Sequence, residues 1–269
     1  MLRRHEPPRV IKLKSPREIN LMRDAGRVVA RALDRARALA VPGGTTAEID
    51  AAVAATFREV GATPLFKGVP SSVARKPPFP AVVCASVNEA VVHGIPSRRP
   101  LQAGDILSLD TGCRLNGWCG DAAITLPIGE VSAEVKKLLE VTQQTLDLAI
   151  RAMGRARNWS EVASLMEAFV KSQGMYVIEK FVGHGIGQTM HEEPQVPNFM
   201  SKELKKKDIR LEPGIVLAIE PMVALGTKEV KILDDGWTVI TKDRRFAAHF
   251  EHTVAMTPDG PRVLTYLED

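Results

Sequence analysis

An α+β fold built from two pseudo-symmetric halves is what this 269-residue sequence predicts, and three observations predict it. A helix–helix–strands order occurs twice along the chain. Capping signatures open helices in both halves. Setting Glu48 on Glu161 also sets Ile49 on Val162 and Gly61 on Gly174, an offset of 113 each time. Two such units pack naturally about an axis, with a site between them.

The elements follow in order. Residues 1–14 read as a basic, Pro-containing irregular arm, and residues 15–269 as a single domain. Ser15-Pro16-Arg17-Glu18 opens the first helix with a Ser cap, Pro at the first helical position and Glu three residues after the cap. Ile19, Met22, Ala25, Val29 and Leu33 form its apolar stripe, and Val41-Pro42-Gly43-Gly44 ends it. Thr45-Thr46-Ala47-Glu48 is a second capping box whose helix runs to about Gly61. The Pro-rich stretch 62–80 reads as a surface loop. An apolar segment Ala81–Cys84 and then VNEAVVHGIP follow; Asp105–Asp110 is expected as a strand, with Asn116-Gly117 as a tight hairpin turn. In the second half, helices are expected from Ser132 to about Met153 and from Asn158 to about Gly174. Strands VLAIEPMV and FEHTVAMT flank a turn at Asp235-Gly236.

Composition excludes several classes. Hydrophobic content of 45% with 25% charged residues suits a globular protein that buries a real core. No apolar run approaches the roughly 18 residues of a membrane span. MLRRHEPPRV lacks the apolar stretch of a secretory signal, and Cys84, Cys113 and Cys119 make no disulfide framework or zinc motif. A cytoplasmic location is the expectation. Net charge is only +4, but residues 1–40 hold eleven Lys/Arg against four acids, so a basic face there could sit near RNA or simply be solvated. Lys205-Lys206-Lys207 reads as a solvated face.

The carboxylates carry the chemistry. With Asn116-Gly117 in the turn, Asp110 faces Ala123 and Asp121 faces Gly112. The two acids are then diagonal neighbours on one face, with β-carbons roughly 7–8 Å apart. They either point to solvent or repel each other, unless a cation lies between them. Glu220 ends the apolar run Ile215–Ile219, and Glu251 sits in Phe250-Glu251-His252-Thr253-Val254. Acids are almost never buried without a partner or a metal. His184, fenced by Gly183, Gly185 and Gly187, can join them where the backbone comes close. Four carboxylates and one imidazole are too much negative charge for one ion. They suit two divalent cations, and the oxygen/nitrogen set favours Co, Mn, Fe or Zn. Hydrolysis is the natural reaction class for such a site.

VVHGIP at 91–96, the acid pair in LDTGCRLNGWCGDAAIT, GHGIGQTMHEEPQV at 183–196, AIEPM at 218–222 and FEHT at 250–253 together resemble the type I methionine aminopeptidases. The similarity runs from about Lys14 to Leu264. The short spacing between AIEPM and FEHT leaves no room for the helical insert of the second class. The resemblance implies the pita-bread fold, with an antiparallel sheet covered by helices, and Asp110, Asp121, His184, Glu220 and Glu251 as ligands of two divalent metal ions. It implies hydrolysis of an N-terminal (initiator) methionine from nascent proteins and peptides by a metal-bridging hydroxide, with preference for a small second residue.

By the same resemblance, Glu220 also shuttles a proton. His191 donates to the developing oxyanion, and His93 contacts or helps protonate the scissile nitrogen. Phe79, Cys84, His93, Trp237 and Met190 line the methionine pocket. Met190 stands where the family commonly has Phe. The loop 66–80 carries FKGVPSSVARKPP, residues 66–78, in place of a short Gly-aromatic segment. His249 matches no motif position and is expected at the surface or just behind the site. Transient ribosome contact through the basic N-terminal segment and a monomeric state complete the expectations. Xaa-Pro peptidases of the same fold usually carry a further N-terminal domain.

Overall fold

A computed structural model describes residues 10–267. Arg3, Arg4 and Arg9 of the predicted basic arm lie outside them. The first half holds α1 (Pro16–Leu39), α2 (Thr46–Glu59), β1 (Thr63–Pro64), β2 (Cys84–Val87), β3 (Ala90–Val92), β4 (Ile106–Leu115) and β5 (Trp118–Pro127). Next come α3 (Ala133–Met153), α4 (Trp159–Ser172), β6 (Tyr176–Val177), β7 (Gly183–Gly185), β8 (Glu192–Val196) and α5 (Lys202–Lys206). The chain closes with β9 (Val216–Ile219), β10 (Met222–Ala224), β11 (Val230–Ile232), β12 (Val239–Thr241), β13 (Ala247–His249), β14 (Glu251–Thr257) and β15 (Gly260–Val263).

The helix starts fall where their caps put them. Ser15 and Glu18 exchange hydrogen bonds as a capping box, as do Thr45 and Glu48. The repeat is visible in the lengths, because α2 and α4 are each 14 residues long and begin and end 113 positions apart. A nine-stranded sheet runs β1-β4-β5-β14-β9-β7-β8, with β2 also on β4 and β15 on β14. Two three-stranded sheets, β13-β10-β6 and β11-β12-β3, flank it. Each half has its own core. Val29, Leu33 and Phe57 pack on Leu107 and Leu109, while Leu146, Trp159 and Met166 pack on Leu217 and Val254. Among the described residues, no helix is long and apolar enough to cross a membrane.

Two expectations need correction. The stretch 62–80 is not wholly a surface loop: Thr63 and Pro64 pair with β4, and Phe66 and Phe79 are buried. VLAIEPMV is two strands, because Pro221 has no N–H and the chain turns at Glu220 from the large sheet into a small one. The expected strand FEHTVAMT forms β14, which starts at Glu251, and Phe250 separates it from β13. Residues 10–15 carry no helix or strand, yet they are tied to the domain. Lys14 is buried and its N–H bonds to Gly214, while Ile11 packs against the second core.

Helix α1 crosses β5 at backbone contact. A β-carbon on Gly120 would lie 2.7 Å from the Gly26 nitrogen, and one on Gly26 would run into the Leu264 carbonyl. Two opposite effects therefore meet at Gly26. Alanine is favoured over glycine inside a helix by about 1 kcal/mol, whereas overpacking costs about 1–3 kcal/mol. Gly26→Ala should lower stability in urea unfolding; a gain would mean that α1 does not lie this close.

Candidate metal centre

The register of the large sheet places the acids in rows. Cys84 pairs with Asp110, Asp110 with Ala123, and Ala123 with Glu251, so one row crosses β2, β4, β5 and β14. Two residues along, Gly112 faces Asp121, as the turn position required. A β-carbon at Gly112 would sit 2.9 Å from Asp121 Oδ1, so glycine there leaves space for the carboxylate. The Thr253 hydroxyl accepts from the Asp121 N–H at 3.1 Å and donates to its carbonyl at 2.8 Å. On the far side of β14, Thr253 pairs with Ala218, and Ala218 pairs with His184 on β7. Gly183 lets β7 come this close, since a β-carbon there would meet the Ala218 carbonyl. Glu220 arrives from the corner after β9, where the Asn198 amide donates to its carbonyl at 3.0 Å.

The decisive geometry is at His184. Its Nδ1 lies 2.9 Å from the Gly185 carbonyl, which can only accept. The ring proton therefore belongs on Nδ1, and Nε2 presents a lone pair. That lone pair faces Glu220 Oε1 at 3.7 Å and Asp121 Oδ2 at 3.9 Å. Acceptors thus confront acceptors at distances too long for hydrogen bonds. Asp110 Oδ1, Asp121 Oδ1 and Glu251 Oε1 are buried without a hydrogen-bond partner. Ligand atoms of Asp121, His184 and Glu251 all lie within 4.8 Å of one another. Buried carboxylates with no donor need protons or a cation. A divalent ion with oxygen and imidazole ligands fits this donor set.

The electrostatics agree. Burial, then mutual repulsion, pushes the Asp110, Glu220 and Glu251 carboxyls well above the usual range. Burial raises Asp121 to about 7. Burial and the neighbouring His191 hold His184 down at about 4, so it is neutral and able to ligate. A cation inverts this logic for the acids and favours their ionised form.

Every residue nominated from the sequence lines one cavity of about 400 Å³. On its polar side are Asp110, Asp121, His184, Glu220 and Glu251. His191 stands exposed at its mouth, edge-on to the His184 ring at 4.4 Å. His93 holds a left-handed backbone conformation (φ 60°), which is sparsely populated away from glycine and gathers at functional sites. Its ring packs against Phe181 and Trp237 at 5.4 and 6.3 Å. Burial, then His191, lowers it to about 4. On the apolar side, Phe79 meets Trp237 edge-on at 5.1 Å, and Met190 packs with Phe66, Phe79 and Cys84.

Sequence reasoning missed Leu65, Phe66, Val69 and Arg114, which also line the cavity. Phe66 and Phe79 bracket the Pro-rich stretch, and that pair of aromatics was the available signal. The stretch straps the two halves together: Ser71 bonds to the Gly236 carbonyl at 3.0 Å, Trp237 to the Pro77 carbonyl at 2.9 Å, and Lys76 to the Asp234 carbonyl. His249 is buried rather than at the surface, with Nε2 unpartnered and 3.7 Å from Glu220 Oε2.

Comparison with known proteins identifies the family. The profile of metallopeptidase family M24 matches residues 20–258. Methionine aminopeptidase 1 of Bacillus subtilis is 42% identical over 252 residues, covering 94% of this chain and 98% of that one. Methionine aminopeptidase 1 of Mycobacterium tuberculosis is also 42% identical, with 96% of each chain covered. The crystal structure of methionine aminopeptidase from Thermotoga maritima superposes with a TM-score of 0.89 at 38% identity, over 96% of this chain and 100% of that one. Prolidase from Pyrococcus furiosus, at 21% identity and a TM-score of 0.72, shares the fold; 96% of this chain covers 66% of it. The chain belongs to metallopeptidase family M24 and, within it, to the methionine aminopeptidases.

Proposed function

We propose that this protein removes the N-terminal methionine from peptides and nascent proteins whose second residue is small. The observation that carries the reading is the acceptor confrontation at His184 Nε2, set at the end of an apolar cavity. Asp110, Asp121, His184, Glu220 and Glu251 would hold two divalent cations, drawn from Co, Mn, Fe or Zn. When bound, the cations supply Lewis acidity and bring the pKa of water toward neutrality.

The chain's own side chains divide the remaining work. Phe66, Phe79, Cys84, Met190 and Trp237 receive the substrate's thioether, a flexible group that packs well against aromatic edges. Glu220, at the corner after β9 and lining the cavity, is placed to move a proton between the attacking water and the scissile nitrogen. His93, held near 4 by burial, is neutral at physiological pH. In that form it can contact the scissile nitrogen by hydrogen bonding, and proton delivery to the leaving nitrogen would draw on a neighbouring acid. His191, at the cavity mouth, donates to the oxygen on which charge develops.

Hydrolysis of Met-Ala-Ser, restored to chelated protein by added divalent cations, should far exceed hydrolysis of an Ala-Pro peptide. The opposite preference, or no peptidase activity with any of the four metals, would sink the reading. Asp110→Ala and Glu251→Ala should lose bound cation and activity together. His191→Ala should keep its cation and lose about 10²–10³-fold in kcat, the usual cost of one oxyanion donor. Equal metal loss in the His191 variant would show that it is a ligand instead.

The raised carboxyls also fix a dependence on pH. A group with a raised folded pKa contributes stability that is full below its unfolded value and is lost as pH rises through the folded one. Without cations, Glu251→Gln should match the parent near pH 4 (about the unfolded carboxylate value) and exceed it at neutral pH by about 1–3 kcal/mol. Added divalent cation should reverse the order at neutral pH. Urea unfolding at both pH values, with and without chelator, checks the sign.

A further inference from the structure

One buried ion pair lies outside the carboxylate cluster and has no part in the chemistry above. Lys14 Nζ, just ahead of α1, meets Glu192 Oε2 at 2.7 Å, with 5% and 11% of the two side chains exposed. Burying two charges is costly, and breaking such a pair leaves one of them stranded. The pair is also tied into backbone at both ends. Lys14 Nζ donates to the Lys12 carbonyl at 2.8 Å, and its N–H to the Gly214 carbonyl at 2.7 Å. Glu192 Oε1 accepts the N–H groups of Gln188 at 2.9 Å and Thr189 at 3.3 Å. The two side chains lie on Gly187, where a β-carbon would come 2.6 Å from Glu192 Oε1 and 2.7 Å from Lys14 Cε. Burial raises the Glu192 carboxyl, but the bonds from Lys14, Thr189 and Gln188 leave it below its ordinary value.

The contacts of Lys14 with Glu192, of Glu192 with Gln188 and Thr189, and of both side chains with Gly187 converge on residues 187–192, the turn that carries His191. Lys12 and Gly214 anchor Lys14 from outside it. The imidazole itself is exposed, so its position is inherited from the backbone beneath it. We infer that Lys14 and Glu192 are positioning residues for His191, fixing the turn that aims the imidazole into the cavity. The catalytic part of this inference rests on the function proposed above. The segment ahead of the first helix is then part of the apparatus that holds a reacting group, although Lys14 and Glu192 stand 178 residues apart.

The test uses the metal-loaded protein with Lys14→Met, Glu192→Gln, the double variant and Lys14→Arg. Three quantities are read: kcat and KM on Met-Ala-Ser, bound divalent cation, and hydrogen exchange at the Gln188 and Thr189 amides. Misplacing a reacting group by about 1 Å can cost about 10²-fold. The single variants should therefore lose about tenfold or more in kcat, with KM within about twofold and cation content unchanged. Lys14→Arg should recover most of the rate, and the double variant should be no worse than the worse single, as coupled residues behave. Exchange at both amides should quicken by about tenfold in Lys14→Met. Unchanged exchange there overturns the inference, and so does an activity loss that follows cation loss. If the parent has no aminopeptidase activity, the proposed function fails, and the exchange data still decide whether the pair holds the turn. Lys14→Arg and Glu192→Gln keep the test open if Lys14→Met does not fold.

Discussion

Four carboxylates and a neutral imidazole point acceptor atoms at one another where the two halves meet, and much of the molecule is arranged around that confrontation. Each half contributes two of the acids. Asp110 and Asp121 are set by the register of one hairpin, while Glu220 follows β9 directly, ahead of Pro221, and Glu251 begins β14. Without a cation the arrangement is a liability, since buried oxygens with no donor weaken a fold. With one, the same oxygens become a ready coordination sphere. A site of this kind opposes stability in the interest of function, as strained and charged sites commonly do.

The apolar half of the cavity depends on the strap at 66–80. Its ends bury Phe66 and Phe79 in the first half's wall, and its middle bonds to the 234–237 turn of the second half. The apolar side of the cavity is therefore completed by a contact between halves, while the cluster of acids is completed by sheet register. This separates the two tasks physically.

Much of this was legible in the sequence because it is local or periodic. Asn116-Gly117 set the hairpin register residue by residue, the Ser15 and Thr45 capping boxes set two helix starts, and the 113-residue offset reappears in the ends of α2 and α4. Acids inside apolar strands marked the candidate centre before any geometry was known. What could not be read is non-local. The partnership of Lys14 with Glu192 spans 178 residues and no pattern announces it. Phe66 was hidden in a Pro-rich run whose composition says loop, and composition carries no information about a wall supplied from elsewhere in the chain. His249 lies on a buried strand facing Glu220, yet in sequence it is simply a histidine before Phe250.

The central claim is that divalent cations resolve the acceptor confrontation. Anomalous diffraction from crystals of the protein loaded with manganese or cobalt would count and locate them most directly. The account predicts two cations per chain, ligated by Asp110, Asp121, His184, Glu220 and Glu251, with His184 bound through Nε2. Cations found elsewhere, or none, with the carboxylates protonated and hydrogen-bonded to one another, would contradict it.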